Sequence, residues 1–153
     1  MNMTATKQKT DPMLYSSFSE IDRIIKEFEQ GTLPKEEWTH RAHLTVACWY
    51  LICYQEAEAV ARIRQGIINY NNSVGTANTE TSGYHETITL FWMQALRKQL
   101  SGMSREYPLI RLLSDAVGGL SDKALPFAYY SRELLMSREA RFTYVEPDLR
   151  GFD

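Results

Sequence analysis

Apolar residues recur at helical spacing along almost the whole chain, so the pattern of hydrophobic and polar positions predicts an all-α protein. Residues 1–16 are polar and are expected to form a flexible N-terminal leader, with residues 17–153 as a single α-helical domain. The predicted helices cover residues 17–30, 35–54, 55–70, 84–100, 108–117 and 129–142. We therefore expect a compact bundle of five to seven helices.

The second predicted helix, 35–54, has no polar face in its second half, where apolar side chains point in every direction. A helix that is apolar on all sides is typical of the buried centre of a bundle. The polar stretch 71–82 is predicted to be a loop, and loops of this length are often functional. We expect the helix to form the core and the loop to gate a site.

The composition restricts the classes of partner. With 44% hydrophobic residues the chain can bury a full core. Seventeen Lys and Arg against nineteen Asp and Glu give a net charge of −2, without the basic balance typical of nucleic-acid binding or of attachment to an anionic membrane. We expect no nucleic acid and no membrane as partner. A small-molecule ligand and the oligomeric state stay open.

The two cysteines and the N-terminus indicate a cytosolic location. Cys48 and Cys53 lie on the same predicted helix, and this spacing separates their Cα atoms by roughly 8 Å. That distance is too long for a disulfide bond. The N-terminus also lacks the apolar run of a signal peptide. Both cysteines are therefore predicted to be reduced core residues of a cytosolic protein.

All three histidines fall in two short segments, which makes these segments the best candidates for a functional site. His40 and His43 are three residues apart, so on a helix they differ by about 60° and about 4.5 Å and can reach one point. Core-type residues continue the same stripe, which predicts that both rings point inward. His85 begins a later helix and is expected to approach them from that side.

Three histidines around one point are typical of catalytic zinc centres that keep an open position. If Glu37 or Glu86 replaced one histidine, the set would match non-haem iron. The spacing of Glu37 and His40 also matches one Glu-x-x-His element of di-metal carboxylate bundles, although those bundles need two. The predicted metal ligands are His40, His43 and His85, holding a divalent zinc or iron ion.

Two neighbours of His85 are candidate catalytic residues. Glu86 and Tyr84 lie beside the predicted metal site and have side chains able to act as acid or base. The helix dipole alone also explains Glu86 in a first helical turn. Two alternatives remain open. The histidines form a small-molecule or acid–base site without a metal, or they tie helices together in a structural or interaction module.

The two histidine-bearing strings are specific enough to compare with known sequences. Residues 38–44 read WTHRAHL and residues 83–89 read GYHETIT. They resemble a small bacterial family of helical proteins that carries WTHxAHL and GYHETIT motifs. The resemblance covers most of the chain from about residue 18 onward. It implies a compact α-domain, and no activity can be carried over from it.

Overall fold

The computed structural model describes residues 13–104 and 106–152, and this part of the chain folds into seven α-helices and two short 3-10 turns without a strand. The helices are α1 (Phe18–Gln30), α2 (His40–Cys53), α3 (Glu56–Ser73), α4 (Glu86–Ser101), α5 (Leu109–Gly118), α6 (Arg132–Leu135) and α7 (Arg138–Phe142), and the 3-10 turns are Lys35–Glu37 and Leu125–Ala128. The predicted all-α class and the number of helices are confirmed. None of these helices combines the length and the apolar character needed to cross a bilayer.

Helix α2 is the central element, as its apolar sequence predicts. It packs against α1, α3, α4 and α5. Seven of its side chains are buried, and they point in several directions around the helix axis: Ala42, Leu44, Thr45, Val46, Ala47, Cys48 and Tyr50. Burying apolar groups on all sides is what favours the central position of this helix.

The predicted helix 35–54 is interrupted before His40. The Thr39 hydroxyl accepts a hydrogen bond from the Ala42 amide at 3.2 Å and caps α2, so the helix begins at His40. Glu37 lies in the preceding 3-10 turn, and its carboxylate pairs with Arg23 at 2.6 Å on the protein surface. The predicted helical Glu-x-x-His element is therefore wrong, because Glu37 and His40 do not share a helix.

The predicted helix 129–142 is also divided. Ser131 and Ser137 are followed by the short helices α6 and α7, and their hydroxyls accept hydrogen bonds from Leu134 N and Ala140 N. A serine that caps a new helix favours a break over continuation of the previous one. The break places α7 against α4, beside the segment that contains His85.

The end of the expected leader is packed against the domain. Residues 1–12 lie outside the described residues, so the leader prediction is left untested there. Leu14 N donates to Ser114 Oγ at 2.6 Å, and the buried Tyr15 hydroxyl hydrogen-bonds Thr45 Oγ1 at 2.7 Å. Residues 14 and 15 thus contact both α5 and α2.

The two cysteines occupy different environments. Both thiols are free, and Cys48 is buried in the core. Cys53 is exposed because it is the last residue of α2, beyond the part of the helix that its neighbours cover. The predicted core position is therefore right for Cys48 and wrong for Cys53.

Candidate functional site

A cavity of about 530 Å³ lies between α2, α3 and α4, and its volume is in the range of small-molecule binding sites. Much of its wall is apolar and includes the rings of Trp38 and Trp92. The polar side chains of the wall are His40, His43, Asn71, Thr76, Tyr84, His85, Thr89 and Lys123. The structure thus brings the three predicted histidines to one cavity.

Both ring nitrogens of His85 are occupied by the protein. His85 caps α4, where its Nδ1 accepts a hydrogen bond from Ile88 N at 3.1 Å. Its Nε2 donates to the carbonyl oxygen of Leu135 at 2.7 Å, and the ring is buried. Burial lowers the pKa of His85 below its usual value. His85 is therefore a neutral structural residue that connects α4 to α6, and it has no lone pair left for a metal.

One ring nitrogen of His40 is hydrogen-bonded to the protein, and the other has no partner among the described residues. Its Nε2 lies 2.9 Å from the carbonyl oxygen of Leu120, and its ring meets Trp92 edge-on, with the ring centroids 4.7 Å apart. A carbonyl oxygen can only accept, so Nε2 must carry the proton and Nδ1 of the neutral ring is an acceptor. In the described part of the chain, this Nδ1 has no hydrogen-bond partner.

His43 is held in the opposite tautomer. Its Nδ1 donates to the carbonyl oxygen of Thr39 at 2.9 Å, and its ring lies 3.8 Å from that of Trp38 between centroids. Nε2 is thus an acceptor that no described residue engages. The pKa of His43 is lowered to about 4, mainly by burial, with a smaller lowering by the nearby His40 and a partial compensation by the bond to Thr39. His43 is therefore neutral at pH 7.

The two unengaged nitrogens are accessible. Among the described residues, every fully buried side-chain nitrogen and oxygen atom has a hydrogen-bond partner. His40 Nδ1 and His43 Nε2 have none, so neither atom is fully buried. Both histidines line the cavity.

The residues present do not fit the predicted three-histidine metal centre. Residues 13–104 and 106–152 contain no group of three or more His, Cys, Asp or Glu arranged to hold one ion. His85 cannot be the third ligand, because both of its ring nitrogens are hydrogen-bonded to protein groups. The zinc or iron ion stays a prediction, and of its three predicted ligands His40 and His43 keep a ring nitrogen that no described residue engages.

Glu86 and Tyr84 form an ion-pair network instead of an open acid–base pair. Arg64 on α3 donates two hydrogen bonds to the Glu86 carboxylate, at 3.0 and 2.7 Å, and Tyr84 Oη donates a third at 2.6 Å. Burial favours the protonated form of Glu86, but these bonds outweigh it and hold its pKa below the usual value. Burial also raises the pKa of Tyr84. Tyr84 lines the cavity, whereas Glu86, which pairs with Arg64, is not among its lining residues.

The sequence pattern does not single out Arg64, although a signal for it exists. Arg64 lies four residues after Val60 and three before Ile67, on the inward stripe of α3. A charged residue on such a stripe needs a partner of opposite charge. Glu86, in the first turn of α4, is that partner.

Asn71 is a second residue of the site that the sequence pattern misses, since the pattern predicts a loop from this residue onward. Helix α3 extends to Ser73, so Asn71 is helical and buried in the cavity wall. Its Nδ2 donates to Asn78 Oδ1 at 2.9 Å, and the same oxygen accepts from Tyr84 N at 2.9 Å. The segment after α3 is thus held by Asn78 against the start of α4.

Helix α7 holds the same segment from the other side, which leads to a prediction. Arg141 donates to the carbonyl oxygens of Gly83 and Tyr84 at 3.0 and 3.2 Å. We expect Arg141→Met to lower the free energy of unfolding by about 1–2 kcal/mol, because two half-buried carbonyls lose a charged donor. Amide hydrogen exchange of residues 76–84, followed by mass spectrometry, should become faster.

The matched control for Arg141 is on the same helix. Arg138 reaches the same segment through an ion pair with Glu80, but both side chains are more than 60% exposed. Exposed pairs contribute little to stability. Arg138→Met should therefore leave both the stability and the exchange rates nearly unchanged. Equal effects of the two substitutions would contradict the assigned role of Arg141.

Comparisons with known proteins do not identify the site. No family model matches this chain, and no curated protein or solved structure is significantly similar to it. The resemblance of the two histidine-bearing strings to a bacterial family stays an expectation. A fold class such as a helical bundle does not specify an activity, so the function has to be argued from the cavity itself.

Proposed function

We propose that the cavity between α2, α3 and α4 binds a small organic molecule directly, without a metal ion, and that His40 and His43 accept hydrogen bonds from it. The observation that carries this proposal is a largely apolar cavity of about 530 Å³ lined by two histidines, each with one ring nitrogen that no described residue engages. Apolar walls with a few fixed polar groups are the usual construction of ligand sites.

The properties of the lining residues favour binding over acid–base catalysis. A general base works best when its pKa is near the working pH. Because the pKa of His43 is about 4, its Nε2 accepts hydrogen bonds at pH 7 but is a weak proton acceptor. Glu86 and Tyr84, the predicted catalytic residues, are engaged with Arg64 and with each other. The predicted catalytic pair is therefore held by other residues, while the two histidines offer acceptors to a ligand.

The proposal can be tested with two-ring aromatic probes, 2-naphthol and 2-methoxynaphthalene. Both should quench or shift the tryptophan fluorescence, because Trp38 and Trp92 are in the cavity wall. Ala47 is also in the wall, and Ala47→Leu should weaken binding of both probes about tenfold by filling the space. Ala57→Leu, on the exposed face of α3, is the control and should leave the affinities unchanged. Failure of both probes to bind, or equal affinities in the two variants, would contradict the proposal.

The predicted metal site is the competing hypothesis, and it makes a different prediction. If His40 and His43 hold a zinc or iron ion, Zn²⁺ or Fe²⁺ should raise the thermal unfolding temperature at one ion per chain, and a chelator should reverse the effect. His43→Phe should abolish this response. Under our proposal neither ion stabilises the protein, and chelators do not change the affinity for the probes.

A further inference from the structure

We propose that the ligands of this cavity are uncharged molecules with an apolar, planar body and hydroxyl or amino groups that donate hydrogen bonds. This inference rests on the proposed function and specifies its ligand class. Three atoms of the wall carry it: His40 Nδ1, His43 Nε2 and Asn71 Oδ1. All three are acceptors, and in the described part of the chain none of them has a partner.

The acceptor character of the two histidine nitrogens is fixed by the backbone. Leu120 and Thr39 present carbonyl oxygens to the opposite ring nitrogens, at 2.9 Å in both cases. Since a carbonyl cannot donate, each imidazole, when neutral, has its single proton on the side of the carbonyl. The Thr39 carbonyl is also placed by α2 itself, because it accepts the His43 amide at 3.0 Å. The nitrogen that is left must accept from the ligand.

The acceptor character of Asn71 is fixed by a chain of two hydrogen bonds. Tyr84 N is a backbone donor, so the Asn78 atom at 2.9 Å from it must be the oxygen Oδ1. The nitrogen of Asn78 accordingly donates to the carbonyl oxygen of Ile68 at 3.4 Å. The Asn71 atom that contacts Asn78 Oδ1 must then be Nδ2, which leaves Asn71 Oδ1 as an acceptor. Asn71 is buried in the cavity wall.

The charges around the cavity disfavour an ionic ligand. Among the described residues of the wall there is no Asp or Glu, so an ammonium group would enter without a counter-charge from them. A carboxylate would bring its oxygen lone pairs against three acceptors. Lys123 is a cation of the wall, but the residue is exposed, and solvent weakens its attraction for an anion.

The body of the ligand is set by the two indole rings. Trp38 packs against His43 with the ring planes tilted by 32°, and Trp92 meets His40 edge-on, so each acceptor nitrogen of a histidine belongs to a ring packed against a tryptophan. Several other residues of the wall are aliphatic, among them Leu44, Ile63 and Ile67. A planar apolar body can pack against these surfaces while its donors reach the nitrogens.

The test compares two probes that differ only in their donor. 2-Naphthol has a hydroxyl proton, and 2-methoxynaphthalene has a methyl group in its place. We expect the wild-type protein to bind 2-naphthol at least about fivefold more tightly, the usual effect of one hydrogen bond. In His43→Phe, which keeps a ring against Trp38, the ratio of the two affinities should fall towards one. Tyr54→Phe removes a hydroxyl outside the wall and is the control, so its ratio should equal that of the wild type.

Each outcome of this comparison decides between the two proposals. If both probes bind equally to the wild-type protein, the ligand class is wrong and the proposed binding function stands. If the ratio is unchanged in His43→Phe and that variant unfolds cooperatively, His43 Nε2 is not the acceptor and the inference is overturned. If neither probe binds, the binding function and the ligand class fail together. A change in the ¹⁵N chemical shifts of the His43 ring nitrogens on adding 2-naphthol would support the inference directly.

Discussion

Replacing His85 with alanine is expected to lower the free energy of unfolding by about 3 kcal/mol. The substitution removes the side-chain cap of α4, which usually contributes about 1 kcal/mol. It also leaves the carbonyl oxygen of the fully buried Leu135 without the donor at 2.7 Å, and a stranded buried acceptor costs about 1–3 kcal/mol. Urea unfolding followed by circular dichroism measures the change.

His85→Asn separates the two contributions. Asparagine is a good capping residue, so this variant keeps the hydrogen bond to Ile88 N but cannot extend to Leu135. We expect its free energy of unfolding to fall by about 2 kcal/mol, which is less than in the alanine variant. If His85→Ala were as stable as the wild type and instead lost a bound Zn²⁺ or Fe²⁺ ion, His85 would be a metal ligand and its structural role would be wrong.

The fold could be predicted from local features because they coincide with the ends of most helices. Gly31 has a positive φ of 76° and ends α1, and Gly102 follows the last residue of α4. Pro108 precedes α5. Residues of this kind act on the backbone within one turn, so their effect is visible in the sequence. Where capping serines compete with helix continuation, as before α6 and α7, the periodicity alone predicts one helix too few.

The place of the histidines could also be predicted, but their chemistry could not. Helical phasing brings His40 and His43 to one side of α2, and both line the cavity that His85 also reaches. The tautomer of His43 is set by Thr39, four residues away. The tautomers of His40 and His85, however, are set by the carbonyl oxygens of Leu120 and Leu135, which are 80 and 50 residues away in the chain. No periodicity reports such a contact. An imidazole with a free nitrogen and one with none look the same in a sequence.

The low pKa of His43 predicts how the stability depends on pH. A histidine in an unfolded chain has a pKa of about 6.5, and burial lowers the pKa of His43 to about 4 in the folded protein. Between these values the unfolded state binds a proton that the folded state does not, so acid favours unfolding. The stabilisation is present above pH 6.5, is lost as the pH falls to 4, and changes no further below that. Relative to neutral pH, His43 thus lowers the free energy of unfolding by about 2 kcal/mol at pH 5 and by about 3 kcal/mol at pH 4.

We therefore expect the wild-type protein to lose stability between pH 7 and pH 4 more steeply than His43→Phe. Phenylalanine keeps a ring against Trp38, and the Thr39 carbonyl keeps the His43 amide as its donor, so the variant should fold. Urea unfolding of both proteins at pH 7, 5 and 4 shows how much more steeply the free energy of unfolding of the wild type depends on pH. The pKa of His85 is lowered as well, and its contribution is the same in both proteins, so the difference isolates His43. Parallel curves would mean that the pKa of His43 is the same in the folded and unfolded proteins, which would contradict the lowered pKa of its buried ring.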